Sequence, residues 1–349
     1  MESLRASRSR GAPPLGSGAA AVAAAAILIV AVLMARVPYF ALTPGPAQDV
    51  GRLITIDGAK TTSVNGQLLL TTVSLHEIRV FEAVRGWFDP SIAILSKSAI
   101  IPSDSSEQEV EQRTTVQMEE SHFLAGAAAL SLLGYDVKVE PSGVRISTID
   151  ANVPASESLR RGDVVIGVDG QAVKQDIDLR AAVRRHNIGD TIGLRIMRGT
   201  ETLEVTTRTV GLAEDPSVPA IGVGVETVDR VSLPLAIDIN SLGIGGPSAG
   251  LMFAVGIFDL LDAGDLTRGR VIAGTGEISI TGDVGPVGGI RQKVESARHQ
   301  RAHLFVVPLA ELDQACKVAK EMAVVGVENL KQTIDVLRGT RGTTVRSCR

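Results

Sequence analysis

The sequence predicts an α+β protein with an N-terminal transmembrane helix, and three observations support this fold class. An apolar run without charged residues lies near the N-terminus. Short apolar segments broken by turn residues indicate strands between residues 50 and 210, and longer runs with a helical period indicate helices. The 349 residues suffice for about two folded units, at roughly 150 residues per domain.

The composition excludes several classes of function. Hydrophobic residues make up 44% of the chain and charged residues 21%, which is typical of a globular protein. Aromatic residues make up only 3% and the formal net charge is −4, so we expect no nucleic-acid partner. The five histidines and two cysteines show no metal-ligand spacing, and no phosphate-binding loop motif occurs. We therefore expect no metal, no cofactor, and no structural disulfide between Cys316 and Cys348.

The N-terminal apolar run, residues 18–35, is just long enough for a helix that spans a membrane. We predict a cytoplasmic tail over residues 1–17 and a single-pass anchor over 18–36. The N-terminus would then be cytoplasmic and the remainder extracytoplasmic, at the cell membrane. A cleavable signal peptide is the alternative interpretation.

Residues 40–134 combine strand and helix signals. Strands are predicted at 53–56, 68–73 and 92–95, where apolar runs adjoin turn residues. The segment 107–133 is first charged and Gln-rich and then Ala-rich from Phe123, which predicts a helix that Gly134 should end.

Residues 135–212 are predicted to form a small β module with one helix over 179–186. Its segment 159–170, Leu-Arg-Arg-Gly-Asp-Val-Val-Ile-Gly-Val-Asp-Gly, resembles the PDZ domains of bacterial proteases. The resemblance implies that an extended peptide adds as a strand beside Val144 and Ile146, with its chain end near Ser142 and Gly143. The alternative is a module that only spaces or gates its neighbour.

The last part of the chain, residues 213–340, contains a candidate nucleophile. The sequence Gly-Ile-Gly-Gly-Pro-Ser-Ala-Gly at 243–250 opens an apolar run over 251–258, which predicts a buried helix with Ser248 at its N-terminus. Free backbone N–H groups and the positive end of the helix dipole would stabilise an oxyanion there. The alternative is a serine in a glycine-rich capping turn.

A candidate general base follows Gly288 and Gly289. The helical period places Ile290, Lys293, Val294 and Ala297 on one face, where Lys293 is the only charged residue. Burial disfavours the ammonium form, and a neutral amine can act as a general base. The alternative is a lysine whose aliphatic chain lies on the surface and whose amine reaches water.

Three segments resemble, in order, the proteolytic domain of the Lon family (S16), serine peptidases with a Ser-Lys dyad. They are Gly-Pro-Ser-Ala-Gly at 246–250, Thr-Gly-Glu-Ile-Ser-Ile-Thr-Gly-Asp-Val at 275–284 and Val-Gly-Gly-Ile-Arg-Gln-Lys-Val at 287–294. The resemblance implies peptide hydrolysis through an acyl-enzyme, with Ser248 as nucleophile and Lys293 as base. Gly246, Pro247 and Thr275 would support them. The family has Lys-Asp before Gly-Pro-Ser, where this chain has Ile244 and Gly245.

The whole arrangement resembles the membrane-anchored Lon-like PDZ proteases of Gram-positive bacteria. It implies ATP-independent cleavage of proteins or peptides outside the membrane, by a chain that assembles as a homo-oligomer. The PDZ-like module over 135–212 would be inserted in, or precede, a Lon-type domain. That domain would comprise 40–134 and 213–340, and a tail over 341–349 would follow.

Two other functions are also compatible with the sequence. Residues 246–250 also satisfy G-x-S-x-G, the motif of α/β-hydrolases, with His299 or His303 as the base. The chain is alternatively an anchored PDZ adaptor with an inert peptidase domain. Replacement of Lys293 and labelling by a serine-reactive probe separate these functions.

Overall fold

The computed structural model describes residues 17–62, 65–89, 91–101, 106–199, 201–340 and 342–348. These residues form two compact units. We call Gly134–Pro234 the inserted unit. We call the described residues of Met1–Leu133 and Leu235–Arg349 the split unit, because the inserted unit interrupts them in sequence.

The two units contain the following helices and strands, in chain order. Its first segment comprises α1 (Ser17–Met34), β1 (Arg36–Asp49), β2 (Ile54–Asp57), β3 (Gln67–Arg79), α2 (Val80–Phe88), β4 (Ala93–Ser96), α3 (Lys97–Ile100) and α4 (Glu107–Leu132). The inserted unit comprises β5 (Lys138–Ile149), α5 (Ala155–Ser158), β6 (Val164–Val168), β7 (Gln171–Ala172), α6 (Asp176–Val183), β8 (Thr191–Arg198), β9 (Glu201–Arg208), β10 (Val210–Gly211), β11 (Pro219–Ala220) and β12 (Val223–Ser232). The second segment of the split unit comprises β13 (Ala236–Ile239), α7 (Gly250–Leu261), β14 (Val271–Gly274), β15 (Glu277–Ile278), β16 (Val284–Gly285), α8 (Ile290–His299), β17 (Leu304–Pro308), α9 (Leu312–Cys316), β18 (Ala323–Val327), α10 (Leu330–Arg338) and β19 (Arg346–Cys348).

The predicted transmembrane helix over 18–36 is wrong. Helix α1 has 18 residues, and at about 1.5 Å per residue it is shorter than the roughly 30 Å of a bilayer's apolar core. Among the described residues, no helix combines the length and the apolar character that a membrane span requires. The structure therefore does not support the single-pass anchor or the extracytoplasmic location that depended on it. Residues 1–16 of the predicted tail lie outside the described residues.

The other predicted elements of the first segment are present. Helix α4 starts after Ser106, whose Oγ accepts a hydrogen bond of 3.2 Å from the Glu109 N–H. The helix ends before Gly134, which has a φ of +86°. Strand β3 covers the predicted strand 68–73, and β2 and β4 match the predicted strands 53–56 and 92–95 with a shift of one residue.

The main sheet of the split unit has seven strands in the order β19-β18-β17-β14-β3-β1-β4. Strands β3, β14, β17 and β18 run parallel, whereas β1, β4 and β19 pair antiparallel with their neighbours. Strand β14 ends at Gly274, which lies opposite Leu70 of β3. From Thr71 onward, β3 therefore has a strand neighbour only on its β1 side, among the described residues.

The side-chain alternation of β3 divides the core of the split unit between the two faces of the sheet. Leu68 and Leu70 pack into a cluster with α7, and Leu69 packs into a cluster with α8. Helix α7 is buried from Gly250 to Asp259, as its uninterrupted apolar run predicts.

The two cysteines form a disulfide, so the expectation that they stay unpaired is wrong. Strand β19 pairs antiparallel with β18 and places Cys348 opposite Val324. Cys316 ends α9, which packs beside β18. This pairing at the edge of the sheet brings the two Cα atoms to 6.1 Å.

The inserted unit has its own antiparallel sheet in the order β12-β5-β6-β8-β9. Its core consists of aliphatic side chains from the sheet and from α6, which occupies most of the predicted helical segment. Strand β12 is an edge strand that pairs with β5 only.

Candidate active site

Ser248 lies in the turn that leads into α7. Residues Pro247–Ala249 form one 3-10 turn, and α7 continues from Gly250. Gly246 has a φ of +86°, a conformation that favours glycine. The Gly250 N–H donates to Pro247 O and the Leu251 N–H donates to Gly276 O at 3.0 Å, so the N–H groups available to a substrate oxygen lie before Gly250, beside Ser248. The positive end of the helix dipole lies there as well. The turn can therefore stabilise negative charge on a substrate oxygen.

Helix α4 holds this turn in place. The Gly246 N–H donates to Thr114 O at 2.8 Å, and Ser121 Oγ donates to Pro247 O at 3.1 Å. Gly250 permits close packing, because a Cβ atom there would lie 2.7 Å from Ser121 Oγ. Backbone contacts of this kind are not apparent from sequence motifs, and neither Thr114 nor Ser121 was predicted as part of the site.

Thr275 connects the candidate base to the candidate nucleophile. Its buried side chain accepts a hydrogen bond of 2.9 Å from Lys293 Nζ and donates one of 2.9 Å to Ser248 O. The Gly276 N–H donates to the same carbonyl at 2.9 Å. The Thr275 N–H donates to Val306 O at 3.0 Å, which attaches the residue to β17.

Lys293 is buried on α8, with 3% of its surface exposed. Burial lowers its pKa from 10.5 to about 8, against the opposing charges of Glu277 and Glu311. Burial also raises the pKa of Glu311, whose Oε2 atom is buried and has no hydrogen-bond partner among the described residues. A substantial fraction of Lys293 is thus neutral near pH 8.

Ser248 and Lys293 line the same pocket, which has a volume of about 280 Å³. One wall consists of Thr71–Ser74 of β3 and Pro46 of β1. The glycine-rich loop Gly243–Gly245 also lines the pocket, and it contains the two residues that stand where the Lon family has Lys-Asp. The structure thus brings the two predicted catalytic residues together.

The predicted face of α8 is buried at Ile290, Lys293, Val294 and Ala297. Two polar residues of this helix were missed. Gln292 is buried, and its Nε2 donates to Ser91 O at 3.1 Å. Ser296 is also buried, and its Oγ donates to Gly45 O at 2.7 Å. Both acceptors lie about 200 residues or more earlier in the chain, so a local pattern could not identify them.

The structure places the predicted peptide-binding residues inside the PDZ-like sheet. Val144 and Ile146 are buried core residues of β5, and β12 and β6 pair with the two edges of that strand. Gly143 approaches Val164 closely, and Ser142 Oγ donates to Val228 O at 3.1 Å. A peptide strand cannot add to β5 while β12 occupies its edge.

A groove of about 160 Å³ lies instead between α6 and the start of β12. Leu179 and Val183 of α6 line one side, and residues 221–225 line the other. Gly222 has a φ of +68°. Within the described residues, the N–H groups of Ile221 and Gly222 have no hydrogen-bond acceptor.

Comparison with known families assigns domains to two parts of the chain. The PDZ domain family matches residues 131–209, and the Lon protease (S16) C-terminal proteolytic domain matches residues 226–338.

The curated relatives that match part of the chain are Lon proteases. Lon protease 2 of Bacillus subtilis (strain 168) is 31% identical over 102 residues, which are 28% of this chain and 18% of the relative. Lon protease 1 of Herpetosiphon aurantiacus is 33% identical over 121 residues, 34% of this chain and 15% of the relative. The chain thus spans less than a fifth of the length of these relatives.

Among solved structures, the PDZ domain of an SdrC-like protein from Listeria monocytogenes is 24% identical, with a TM-score of 0.24. The match covers 25% of this chain and 92% of that domain. From the two family matches and the Lon protease relatives, we conclude that this chain contains a PDZ domain and the proteolytic domain of the Lon-type (S16) serine peptidases.

Proposed function

We propose that this chain is an ATP-independent endopeptidase that hydrolyses peptide bonds of protein or peptide substrates through Ser248 and Lys293. The observation that carries the proposal is the pocket that both residues line, in which Lys293 is buried and hydrogen-bonded to Thr275. A desolvated amine with a pKa of about 8 is a suitable base for a serine hydroxyl.

The proposed reaction has two stages. The neutral Lys293 amine takes the proton of Ser248 Oγ, and the oxygen attacks the peptide carbonyl. The backbone N–H groups beside Ser248, before Gly250, stabilise the oxyanion, and Lys293 returns the proton to the leaving amine. In the second stage, Lys293 takes a proton from water, and the water oxygen attacks the acyl-enzyme carbonyl. The bond to Ser248 Oγ then breaks, Lys293 returns the proton to that oxygen, and the acid is released. No step uses a nucleotide.

The shape of the site suits an extended substrate. Strand β3 has a free edge from Thr71 onward, and Thr71–Ser74 line the pocket beside Ser248. A substrate strand that adds to this edge would place a peptide carbonyl in the pocket. The small residues Gly243, Gly245 and Gly246 let its backbone approach the nucleophile.

The test uses the purified full chain, a fluorogenic peptide library and no nucleotide. We expect Ser248→Ala and Lys293→Ala each to lower kcat/KM at least 10³-fold. The matched controls Ser279→Ala and Lys331→Ala should retain cleavage, since Ser279 and the 70% exposed Lys331 lie outside the pocket. Retained turnover in Lys293→Ala, with loss in His299→Ala or His303→Ala, would support a Ser-His hydrolase instead. Absence of cleavage and of labelling by a serine-reactive probe would support an inert adaptor.

We further propose that the PDZ domain binds peptide in the groove between α6 and β12. The edge of β12 can accept a peptide strand, and the free N–H groups of Ile221 and Gly222 can hold its terminal carboxylate. Binding of displayed C-terminal peptides tests this site. Val225→Asp places a charge in the groove and should abolish binding, whereas Val139→Asp, at an exposed position of β5, should not. Equal binding by both variants would place the site elsewhere.

A further inference from the structure

We propose that a β-bulge at Gly45 and Pro46 selects the size of the substrate side chain on the acyl side of the scissile bond. The proposal rests on the proposed function, because it needs Ser248 to be the nucleophile. It assigns Pro46 as a specificity-determining residue, and Ser296 and Thr72 as residues that position it.

The bulge interrupts the pairing of β1 with β3. Pro44 lies opposite Val73 and Ala47 opposite Thr71, so Gly45 and Pro46 together face Thr72. Such a bulge bends the strand and redirects its side chains. Here it contributes Pro46 to the wall of the pocket that contains Ser248 and Lys293.

Two hydroxyl groups fix the bulge. Thr72 Oγ1 donates to Pro46 O and Ser296 Oγ donates to Gly45 O, both at 2.7 Å. A Cβ atom at Gly45 would lie 2.4 Å from Thr72 Oγ1 and 2.9 Å from the Thr72 carbonyl carbon. Only glycine therefore permits this close approach of the two strands.

The same helix holds the bulge and the candidate base. Ser296 follows Lys293 by three residues on α8, and its side chain is 2% exposed. The hydrogen bond from Ser296 to Gly45 therefore couples the position of the Pro46 wall to that of Lys293. Because the Pro46 wall is held in a fixed position, it limits the size of the substrate side chain that fits beside Ser248.

The pocket volume indicates which side chains fit. At about 280 Å³ its volume is just below the range for ligand sites, roughly 300–1,000 Å³. It must hold the scissile peptide group, and the proline ring cannot rotate away because its φ is fixed. We expect room for a small aliphatic side chain such as alanine, and steric exclusion of an aromatic one.

The experiment compares two fluorogenic peptides that differ only in alanine or phenylalanine as the residue that supplies the scissile carbonyl. The full chain should favour alanine at least tenfold in kcat/KM. Pro46→Ala removes the ring and should reduce this preference at least fivefold. Ser296→Ala should reduce it in the same direction, and Ser296→Thr, which keeps the hydroxyl, should restore part of it. Pro44→Ala is the matched control, because Pro44 is outside the pocket lining, and should leave the ratio unchanged.

Thermal unfolding of each variant verifies that it is folded, and the ratio of two substrates is insensitive to the amount of active protein. A preference for phenylalanine in the unaltered chain, or an unchanged ratio in Pro46→Ala, overturns the inference while Ser248-dependent cleavage keeps the proposed function. Loss of Ser248 dependence for both peptides overturns the proposed function and, with it, this inference.

Discussion

Lys293 Nζ donates a 2.9 Å hydrogen bond to Thr275 Oγ1. A second hydrogen bond, from Thr275 to Ser248 O, determines that Lys293 is the donor. The Thr275 hydroxyl has a single proton, which it donates to Ser248 O at 2.9 Å, so towards Lys293 it can only accept. A neutral amine that donates one N–H to Thr275 keeps its lone pair for another proton. One threonine therefore orients the candidate base and holds the turn that carries the candidate nucleophile.

Replacement of Thr275 should show its orienting role. Thr275→Val keeps the shape of the buried side chain but removes the acceptor for Lys293 and the donor to Ser248 O. We expect kcat/KM to fall about 10²-fold, within the range typical of general-base catalysis. Thr275→Ser keeps the hydroxyl and should stay within about fivefold of the unaltered chain. Equal activity of the valine and serine variants would contradict this role.

The pH dependence of cleavage should follow the titration of Lys293. Only the neutral amine can accept the proton of Ser248, and the pKa of Lys293 is lowered to about 8. The rate constant kcat/KM should therefore rise tenfold per pH unit below pH 7 and level off above about pH 9. A pH–rate profile of the full chain measures this. A rate that is flat between pH 6 and 9 would exclude Lys293 as the titrating base.

Burial of Lys293 should also reduce the stability of the fold. The folded state has a pKa of about 8 for this group against 10.5 unfolded, so the unfolded chain binds more protons between these values and stability rises with pH there. The shift corresponds to about 3 kcal/mol. Lys293→Met should abolish cleavage and raise the free energy of unfolding by about 1–3 kcal/mol at pH 7, a gain that disappears above about pH 10.5. Denaturant unfolding at pH 7 and 10.5 measures this. A variant destabilised at pH 7 would contradict the prediction.

Parts of this site could be predicted from sequence because their geometry is local. The helical period placed Lys293 on the buried face of α8, and the glycine-rich turn before an apolar run placed Ser248 at the start of α7. The polar contacts of Gln292 and Ser296 could not be predicted, since their acceptors belong to the first segment of the split unit. Local sequence patterns therefore predict which face of a helix is buried, whereas hydrogen bonds between segments distant in sequence depend on the tertiary fold.

Strand pairing limited the predictions in the same way. The sequence predicted β5 as the peptide-binding strand, but β5 lies inside that sheet, and its neighbour β12 forms the edge and begins after the predicted module ends. The predicted membrane helix is wrong for a different reason, because no helix among the described residues is long and apolar enough to span a membrane. The prediction of an edge strand or of this disulfide requires knowledge of which strands become neighbours in the sheet.

The contact between Gly289 and β3 provides a further prediction. Gly289 caps α8 with a φ of +70°, and a Cβ atom there would lie 2.8 Å from Val73 Cγ1. Its carbonyl accepts the Lys293 N–H at 3.0 Å. We expect Gly289→Ala to lower stability by about 1–2 kcal/mol and kcat/KM at least tenfold, because α8 must move away from β3. Gly288→Ala is the matched control, since a Cβ atom there meets nothing within 4 Å. Similar losses in both variants would show that the loop, and not the Val73 contact, positions α8.

The disulfide between Cys316 and Cys348 should stabilise the fold without contributing to cleavage. It joins residues 32 positions apart and attaches β19 to the sheet beside β18. Closing a loop of this length typically contributes about 2–4 kcal/mol by restricting the unfolded chain. We expect Cys348→Ser to lower the free energy of unfolding by that amount, to increase hydrogen exchange at β18, and to leave kcat/KM unchanged. Arg346→Ala removes only the exposed ion pair with Asp313 and should cost less than about 1 kcal/mol. If Cys348→Ser proved no less stable than Arg346→Ala, the closing of β19 onto the sheet would depend on strand pairing alone.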